Sequence, residues 1–217
     1  MAPQLKIYVP PHPLIKHWLG VARDKNTPST LFKTAMVELG RWLTYEAIRE
    51  WLPTMDVTVE TPLALAPATF LNPETKIAII PILRAGLTLA EGSQTILPLA
   101  STYHLGMIRD EKTLNPTCYL NKLPTQFTAD THILILDPML ATGGTIILAM
   151  EEIIKRGGNP DLTRIISVVS APPALQKLSA NYPALNIYSA MIDEQINDNG
   201  FIVPGLGDAG DRAFGTE

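Results

Sequence analysis

The sequence predicts an α/β fold in which a mostly parallel central sheet is flanked by helices. Segments of strand length alternate with segments of helical period, as in sheets built from βαβ units. The run from Ile133 to Leu136 is apolar at every position, which is typical of a strand covered on both faces. In such a sheet ligands bind at the carboxyl ends of the strands.

Length and composition predict one globular domain. The chain has 217 residues, of which 46% are apolar and 18% charged, so it is long enough for a buried core and too apolar for disorder. The net charge of -4 without a lysine–arginine cluster argues against a nucleic-acid partner, and no apolar run predicts a membrane span. Cys118 is the only cysteine, which excludes an internal disulfide and fits a cytoplasmic protein.

The first half of the chain predicts a helix, a hairpin and a strand. Residues 28–53 read as a helix with Ser29 or Thr30 as cap and Pro53 as stop, and its buried face would comprise Phe32, Met36, Leu39, Leu43 and Ala47. Residues 56–66 indicate two short strands around Thr61-Pro62. "KIAIIPILRAG" reads as a strand and turn, followed by a helix that ends near Pro98.

The second half begins with two alternating strands that predict a projecting β-arm, at about 101–124. The strand from Ile133 then leads through "DPMLATGGT" into a helix that Gly157-Gly158 would end. Strand, helix and strand follow at 164–173, 173–183 and 186–193. The glycine-rich tail has no helical period and could close over the strand ends, which carry the loops 83–86, 137–145 and 171–173.

The loop Ala141–Thr145 is a candidate phosphate site. Glycines allow successive backbone N–H groups to converge on an anion, and the helix that starts here adds its unpaired N–H groups. The spacing matches neither a P-loop nor a dinucleotide-binding turn, and a plain βα turn with a threonine cap is the alternative. Asp137, at the end of a buried strand, could accept both hydroxyls of a ribose, or could only bond loop amides. Together the two features favour a 5-phosphorylated ribose.

Two arginines and the tail could complete such a site. Arg84 ends a strand and Arg109 ends another; each could hold phosphate oxygens or simply lie at the surface. In the tail, backbone groups around Gly207 could read the edge of a planar base. Asp208 and Asp211 could hold Mg²⁺ through water. We expect Cys118 to be packed rather than nucleophilic.

These segments resemble the uracil phosphoribosyltransferases, a type I phosphoribosyltransferase family. The matching motifs are "HPLIKHWLG", "LTYEA", "PILRAG", "DPMLATGGT" and "FIVPGLGDAGDRAFGT", which span nearly the whole chain. The resemblance implies a type I fold in a single domain, 1–217. A small hood would hold the base-binding elements, from the N-terminal segment and residues 193–217.

The resemblance also implies substrates and residue roles. The substrates would be uracil and 5-phospho-α-D-ribose 1-diphosphate (PRPP), and the products UMP and diphosphate, in pyrimidine salvage. Asp208 and Arg109 would be catalytic. Uracil would contact Ile202, Gly207, Asp208 and Ala209. PRPP would contact the following residues: Arg84, Arg109, Asp137, Pro138, Met139, Leu140, Ala141, Thr142, Gly143, Gly144, Thr145 and Asp208.

Further implications concern cofactor and partners. Mg²⁺ would be bound mainly through PRPP and water, near Asp208, without a direct protein ligand. The family implies a homodimer or a dimer of dimers, with GTP as a candidate effector. Ile108 and Glu217 depart from the family pattern, where tyrosine and lysine are familiar. A phosphoribosyltransferase for another base, or an RNA regulator on the same fold, are the alternative functions.

Overall fold

The structure is a computed structural model that describes residues 4–109 and 116–216, and of Arg109 the backbone alone. The strands and helices are listed here in chain order: β1 (Lys6–Tyr8), α1 (Pro13–Arg23), α2 (Ser29–Ile48), β2 (Thr54–Glu60), β3 (Leu65–Leu71), β4 (Ile77–Leu83), α3 (Gly86–Ile96), β5 (Ser101–Thr102), β6 (Leu105–Arg109), β7 (Pro116–Asn121), β8 (His132–Leu136), β9 (Met139–Leu140), α4 (Gly144–Ile154), β10 (Thr163–Ser170), α5 (Pro172–Asn181), β11 (Asn186–Ile192), β12 (Gln195–Ile196), β13 (Ile202–Val203) and α6 (Ala209–Phe214).

The central sheet has the strand order β1-β11-β10-β8-β4-β6-β7, with the short β5 on β4 and β9 on β10. Every pairing in it is parallel except β6 with β7. The mostly parallel sheet that the sequence predicts is therefore confirmed. The predicted β-arm at 101–124 includes β6 and β7 at one edge of this sheet, and its turn at 110–115 lies outside the described residues.

Helices cover both faces of the sheet, because side chains of a strand alternate between its faces. In β8, Leu134 and Leu136 pack with α1, α2, α3 and α6 in one cluster. Ile133 and Ile135 pack with α4 and α5 in a second cluster. All four residues are fully buried, which explains the unbroken apolar run.

Helix α2 buries the face that the sequence predicts. Phe32, Met36, Leu39, Leu43 and Ala47 are all 0% exposed. The predicted cap is wrong, however: the N-cap residue is Pro28, whose carbonyl accepts from the Phe32 amide at 2.8 Å. The Ser29 hydroxyl instead donates to the Ala213 carbonyl, which joins α2 to α6. The helix also ends at Ile48, before Pro53.

Two helices lie where the sequence predicted none. Helix α1 begins with Pro13 in its first turn and with His12 as N-cap, a combination that sequence reasoning passed over. Helix α6 occupies the tail, which was wrongly expected to lack helix. Its six residues are too few to show a helical period. Its start is marked by Asp208, whose carboxylate accepts from the Gly210 and Asp211 amides.

Cys118 is exposed, not packed as predicted, because it lies in the edge strand β7 on the solvent side. Strands β2 and β3 form a separate antiparallel hairpin, as expected from the Thr61-Pro62 turn. Among the described residues, no helix combines the length and the apolar character needed to cross a membrane.

Candidate active site

A cleft of about 570 Å³ opens at the carboxyl edge of the sheet. Three segments that are distant in the chain line it: the end of β4 with the turn after it, the region from Asp137 to the start of α4, and the tail from Gly200 to Gly210. Residues of β6 and β7 form the remaining wall. This is the position at which ligands bind in parallel α/β sheets.

The Asp137-Pro138 step lets the chain leave β8 without losing its pairing to β10. The Asp137 amide donates to the Ile166 carbonyl at 3.1 Å, and the Pro138 carbonyl accepts from the amides of Val168 and Val169 at 3.0 Å. Proline has no N–H group, so no donor is left unpaired at this step. The Asp137 side chain remains on the cleft wall.

Asp137 is a half-buried carboxyl group with little to compensate its burial. Desolvation raises its pKa to about 7, while the Met139 amide, 3.4 Å from Oδ1, acts weakly in the opposite direction. No other hydrogen bond to this carboxylate occurs among the described residues. Its oxygens are therefore available to hydroxyl groups of a ligand.

The loop that follows ends at an uncapped helix. Gly143, the N-cap residue of α4, has φ of +76°, and no side chain within the described part of the chain caps the helix start. The first amides of α4 therefore lack a side-chain acceptor and, with the helix dipole, form an anion-binding end. Thr142 and Thr145 line the cleft beside them and supply hydroxyl groups. The plain capped turn that was the alternative interpretation does not describe this loop.

Arg84 lies across the cleft and is held by the tail. Its Nη2 donates to Asp211 Oδ1 at 2.8 Å, and its Nη1 donates to Thr216 Oγ1 at 3.3 Å. Its side chain is still 54% exposed. The Thr216 hydroxyl and the Arg84 guanidinium lower the pKa of Asp211, which stays ionised.

Asp208 both starts α6 and lines the cleft. Its Oδ1 accepts from the amides of Gly210 at 2.8 Å and Asp211 at 3.0 Å, and Oδ2 has no hydrogen-bond partner among the described residues. Ile202, in β13, is buried and lines the cleft as well. The exposed Gly207 has φ of +69°, so the backbone between these two residues turns sharply.

The tail is firmly packed and not a solvated terminus. The Arg212 guanidinium donates to the carbonyls of Ala22, Leu206 and Asp24 and lies 4.1 Å from the centre of the Phe32 ring. Asp193, at the end of β11, is bonded to Arg23 of α1. Leu206, Ala209 and Ala213 are buried in the core. No pattern in the sequence predicts these anchors, because their partners lie far away in the chain.

The structure brings most of the predicted site residues to one cleft. Ten of them line it: Arg84, Asp137, Met139, Leu140, Ala141, Thr142, Gly143, Thr145, Ile202 and Asp208. Pro138, Gly144, Gly207 and Ala209 lie next to the lining in the chain but do not line the cleft. Arg109 ends β6 opposite Pro116, and its side chain lies outside the described residues, as does Glu217. The loop 171–173 does not reach the cleft.

Several lining residues were not predicted from the sequence. Tyr119 and Met107 come from β7 and β6, and Ile108 is 59% exposed beside them. Tyr119 packs so closely over Gly106 that a Cβ at this glycine would lie 2.5 Å from the ring. Gly106 pairs with Leu120, and the register shifts between Gly106 and Met107, so the sequence pattern of the two strands does not predict this contact. Phe201, half-exposed in the tail, completes the lining.

The described residues contain no group of three or more histidine, cysteine, aspartate or glutamate side chains that could hold a metal ion. Asp211, one of the two carboxylates expected to hold Mg²⁺ through water, is engaged by Arg84 and Thr216. Asp208 Oδ2 has no hydrogen-bond partner among the residues that the structure describes. Within the described residues, the cleft therefore offers such an ion a carboxylate oxygen of Asp208 and no cluster of protein ligands.

Comparison with known proteins shows the fold and the family. A solved protein structure from Aquifex aeolicus superposes with a TM-score of 0.87 at 37% identity, covering 96% of this chain and 97% of that one. The structure of APRTase from Giardia lamblia, at 15% identity, matches with a TM-score of 0.50 over 74% of this chain and 80% of its own, which shows a shared fold alone.

Sequence comparison extends over nearly the full length. The family model "Uracil phosphoribosyltransferase" matches residues 9–216. Proteins named uracil phosphoribosyltransferase from Nostoc sp. and Synechocystis sp. are 66% and 65% identical over 216 residues, covering 100% of both chains in each case. The protein of that name from Nicotiana tabacum is 52% identical, covering 98% of this chain and 95% of its own. With a type I phosphoribosyltransferase fold and a match that spans the cleft and the tail, the chain belongs to the uracil phosphoribosyltransferase family.

Proposed function

We propose that this protein transfers the 5-phosphoribosyl group of PRPP to N1 of uracil, giving UMP and diphosphate, in pyrimidine salvage. The observation that carries the proposal is one cleft in which an uncapped helix start faces a half-buried carboxylate. Such a pair suits a phosphate and a sugar diol on the same ligand. Membership of the uracil phosphoribosyltransferase family supports the same substrates.

The ribose 5-phosphate end of PRPP would occupy the loop 137–145. The amides at the start of α4 and the hydroxyls of Thr142 and Thr145 would donate to the 5'-phosphate. Asp137 would accept from the ribose hydroxyls. Binding these hydroxyls would replace the missing hydrogen bonds of its carboxylate, and so favour its ionised form.

The diphosphate end would face Arg84, and Arg109 from β6 would join it. A guanidinium can bind two phosphate oxygens at once. Mg²⁺ would join this end as a cofactor that arrives with PRPP. Asp208 supports this, because it lines the cleft and its Oδ2 has no hydrogen-bond partner among the described residues. When bound, the metal would neutralise part of the charge that develops on the departing diphosphate.

Uracil would lie against the tail, with Ile202 on its apolar side and the backbone from Gly207 to Ala209 at its polar edge. The positive φ of Gly207 turns the chain so that its backbone groups are exposed. Backbone N–H and C=O groups in fixed positions suit the donors and acceptors of a pyrimidine edge. We assign this base-binding role to a hood made of the N-terminal segment and residues 193–217.

In the reaction, the bond between C1' and the diphosphate oxygen breaks and the bond between C1' and N1 of uracil forms. The N1 proton is released, and the electron pair of the broken bond leaves with diphosphate. The chain would contribute mainly by orienting the two reactants, which is worth about 7–11 kcal/mol in favourable cases. Arg84 and Arg109 would stabilise the charge on the leaving group.

The decisive test is a Mg²⁺-dependent assay for UMP formation from uracil and PRPP. Cytosine, hypoxanthine and orotate at the same PRPP concentration are the controls, because another base would identify a different phosphoribosyltransferase. We expect UMP with uracil only, and none after EDTA treatment. Nucleotide formation from another base in preference to uracil would contradict the proposal.

We further propose a homo-oligomer built on a dimer, in the cytoplasm, with GTP as an effector. The hairpin β2–β3 supports an oligomer, since Leu63, Leu65 and Phe70 are 97%, 73% and 53% exposed there. Light scattering during size-exclusion chromatography tests the oligomeric state. UMP formation with and without GTP tests the effector. A monomer would reject the first proposal and unchanged rates the second.

A further inference from the structure

Asp211 connects the two ends of the cleft that would bind the two substrates. Its Oδ1 accepts from Arg84 Nη2 at 2.8 Å and from the Thr216 hydroxyl at 2.7 Å. Its amide donates to Asp208 Oδ1 at 3.0 Å, and its carbonyl accepts from the amides of Gly215 and Thr216. Asp208 and Arg84 are thus fixed to the same turn of helix, although Asp211 does not line the cleft.

The Arg84 guanidinium is oriented on several sides by this turn. Besides its hydrogen bonds to Asp211 and Thr216, it lies against Gly210, where an added Cβ would be 3.6 Å from Nη2 and 3.9 Å from Nε. A guanidinium has five N–H groups. The bonds to Asp211 and Thr216 use one N–H group on each terminal nitrogen. The remaining groups stay available to a ligand in the cleft.

Without these contacts Arg84 would sample many rotamers, because its side chain is 54% exposed. Ordering a long exposed side chain during binding weakens the affinity for the ligand. The Asp211 carboxylate, which is 30% exposed, keeps the side chain ordered before the ligand arrives. An ionised acceptor is suited to this task because hydrogen bonds between charged partners are the stronger ones.

We infer that Asp211, assisted by the Thr216 hydroxyl, is a positioning residue that presents Arg84 to the diphosphate end of the phosphoribosyl donor. The inference rests on the proposed function. It adds a role for Asp211 and Thr216, which do not line the cleft. It distinguishes the two aspartates of the tail: Asp208 faces the ligand, and Asp211 acts through Arg84.

The test is a double-mutant cycle between Asp211→Ala and Arg84→Ala, read as the KM for each substrate in UMP formation. We expect Asp211→Ala alone to raise the KM for PRPP about tenfold, the range for losing a charge-assisted hydrogen bond. The KM for uracil should change less than about twofold. In the Arg84→Ala background, Asp211→Ala should have almost no further effect on PRPP, because residues that act as one unit are not additive.

Two controls keep the outcome clear. Thr216→Val removes one hydroxyl and should raise the KM for PRPP about threefold, less than the loss of the charged acceptor. Asp161→Asn, at an exposed turn before β10 that does not line the cleft, should change neither KM. If the Arg84 variants turn over too slowly, calorimetric binding of PRPP with Mg²⁺ provides the same cycle.

An equal effect of Asp211→Ala in both backgrounds, or an equal rise in both KM values, would overturn the inference and leave the proposed function intact. A wild-type protein that makes no UMP would instead reject the proposed function. The two failures are therefore distinguishable in the same set of assays.

Discussion

Nη2 of Arg23 lies 2.6 Å from Oδ1 of Asp193, 170 residues further along the chain. The Asp193 side chain is only 3% exposed, and its second oxygen accepts from the Gly205 amide at 2.9 Å. The Asp193 carboxylate thus connects helix α1 with two parts of the tail, its start at Asp193 and its middle at Gly205. This contact connects segments of the proposed hood.

Removing the Asp193 carboxylate should destabilise the protein. Asp193→Ala removes the carboxylate that accepts from a partly buried Arg23 and from a buried Gly205 amide, and it leaves Arg23 its longer bond to the Gly205 carbonyl. The free energy of unfolding should fall by about 2–4 kcal/mol. Urea unfolding measures this free energy. Glu194→Ala, at the exposed neighbour, should change the value by less than about 0.5 kcal/mol. Equal losses for both variants would show that the contact contributes little.

A side chain at Gly143 should harm both the loop and PRPP binding. Gly143 has φ of +76°, and an added Cβ would lie 3.1 Å from the Ala174 backbone. Gly143→Ala should therefore lower the free energy of unfolding by about 1–3 kcal/mol. It should also raise the KM for PRPP. Gly20→Ala is the matched control, since nothing lies within 4 Å of a Cβ there. In the interior of helix α1 that change should stabilise by about 0.5–1 kcal/mol. Differential scanning calorimetry compares the two, and a Gly143→Ala protein as stable as Gly20→Ala would contradict this prediction.

Asp137 should make the protein less stable as the pH rises. Its carboxyl group has an ordinary pKa of 3.8 and a pKa of about 7 when folded, because burial disfavours the charge. Between these values the folded protein binds more protons than the unfolded chain, so the free energy of unfolding falls with rising pH. At 1.36 kcal/mol per pH unit the full effect is about 4 kcal/mol, which partial exposure reduces to roughly 1–3 kcal/mol.

Asp137→Asn removes this charge. The variant should be equally stable at pH 4 and more stable than the wild type at pH 8, although it should bind PRPP more weakly. Asp130→Asn is a control with the opposite expected sign. A hydrogen bond from the Thr128 hydroxyl is the main cause that lowers the pKa of Asp130, so the charge of Asp130 stabilises the fold above pH 4. Urea unfolding of all three proteins across this pH range decides the sign. If the free energy of unfolding of the wild type rose relative to that of Asp137→Asn as the pH rises, the raised pKa assigned to Asp137 would be refuted.

Asp208→Asn separates the two roles of Asp208. Asparagine caps a helix about as well as aspartate, so stability should change by less than about 0.5 kcal/mol. The charge facing the cleft is lost, however, and we expect kcat to fall by at least about tenfold if that charge acts in the transition state. Asp208→Ala should lose about 1 kcal/mol of stability in addition. Unchanged turnover of Asp208→Asn would remove this residue from the catalytic group.

The sequence predicted best where one physical constraint dominates. The unbroken apolar run of β8 and the buried face of α2 follow from burial alone, and both are confirmed. Helix α6 was missed because six residues cannot display a period, although its cap, Asp208, is visible in the sequence. The anchors of the tail could not be predicted, because Arg23 and Arg212 find their acceptors only after the chain has folded.

The site was predictable to the extent that strand ends meet at one edge of a parallel sheet. Arg84, Asp137 and the loop to Thr145 meet there for that reason. The wall formed by Met107 and Tyr119 depends on how β6 and β7 pair, which their alternating pattern does not specify. The same holds for Asp211, whose partner Arg84 lies 127 residues earlier.

The central claim is that the start of α4 holds the 5'-phosphate while the tail holds the base. A crystal structure of the protein with UMP tests it most directly. We predict phosphate oxygens within hydrogen-bond distance of the amides from Thr142 to Thr145, and the uracil ring against Ile202 and the Gly207–Ala209 backbone. A nucleotide bound elsewhere, or bound with its phosphate away from this loop, would contradict the account.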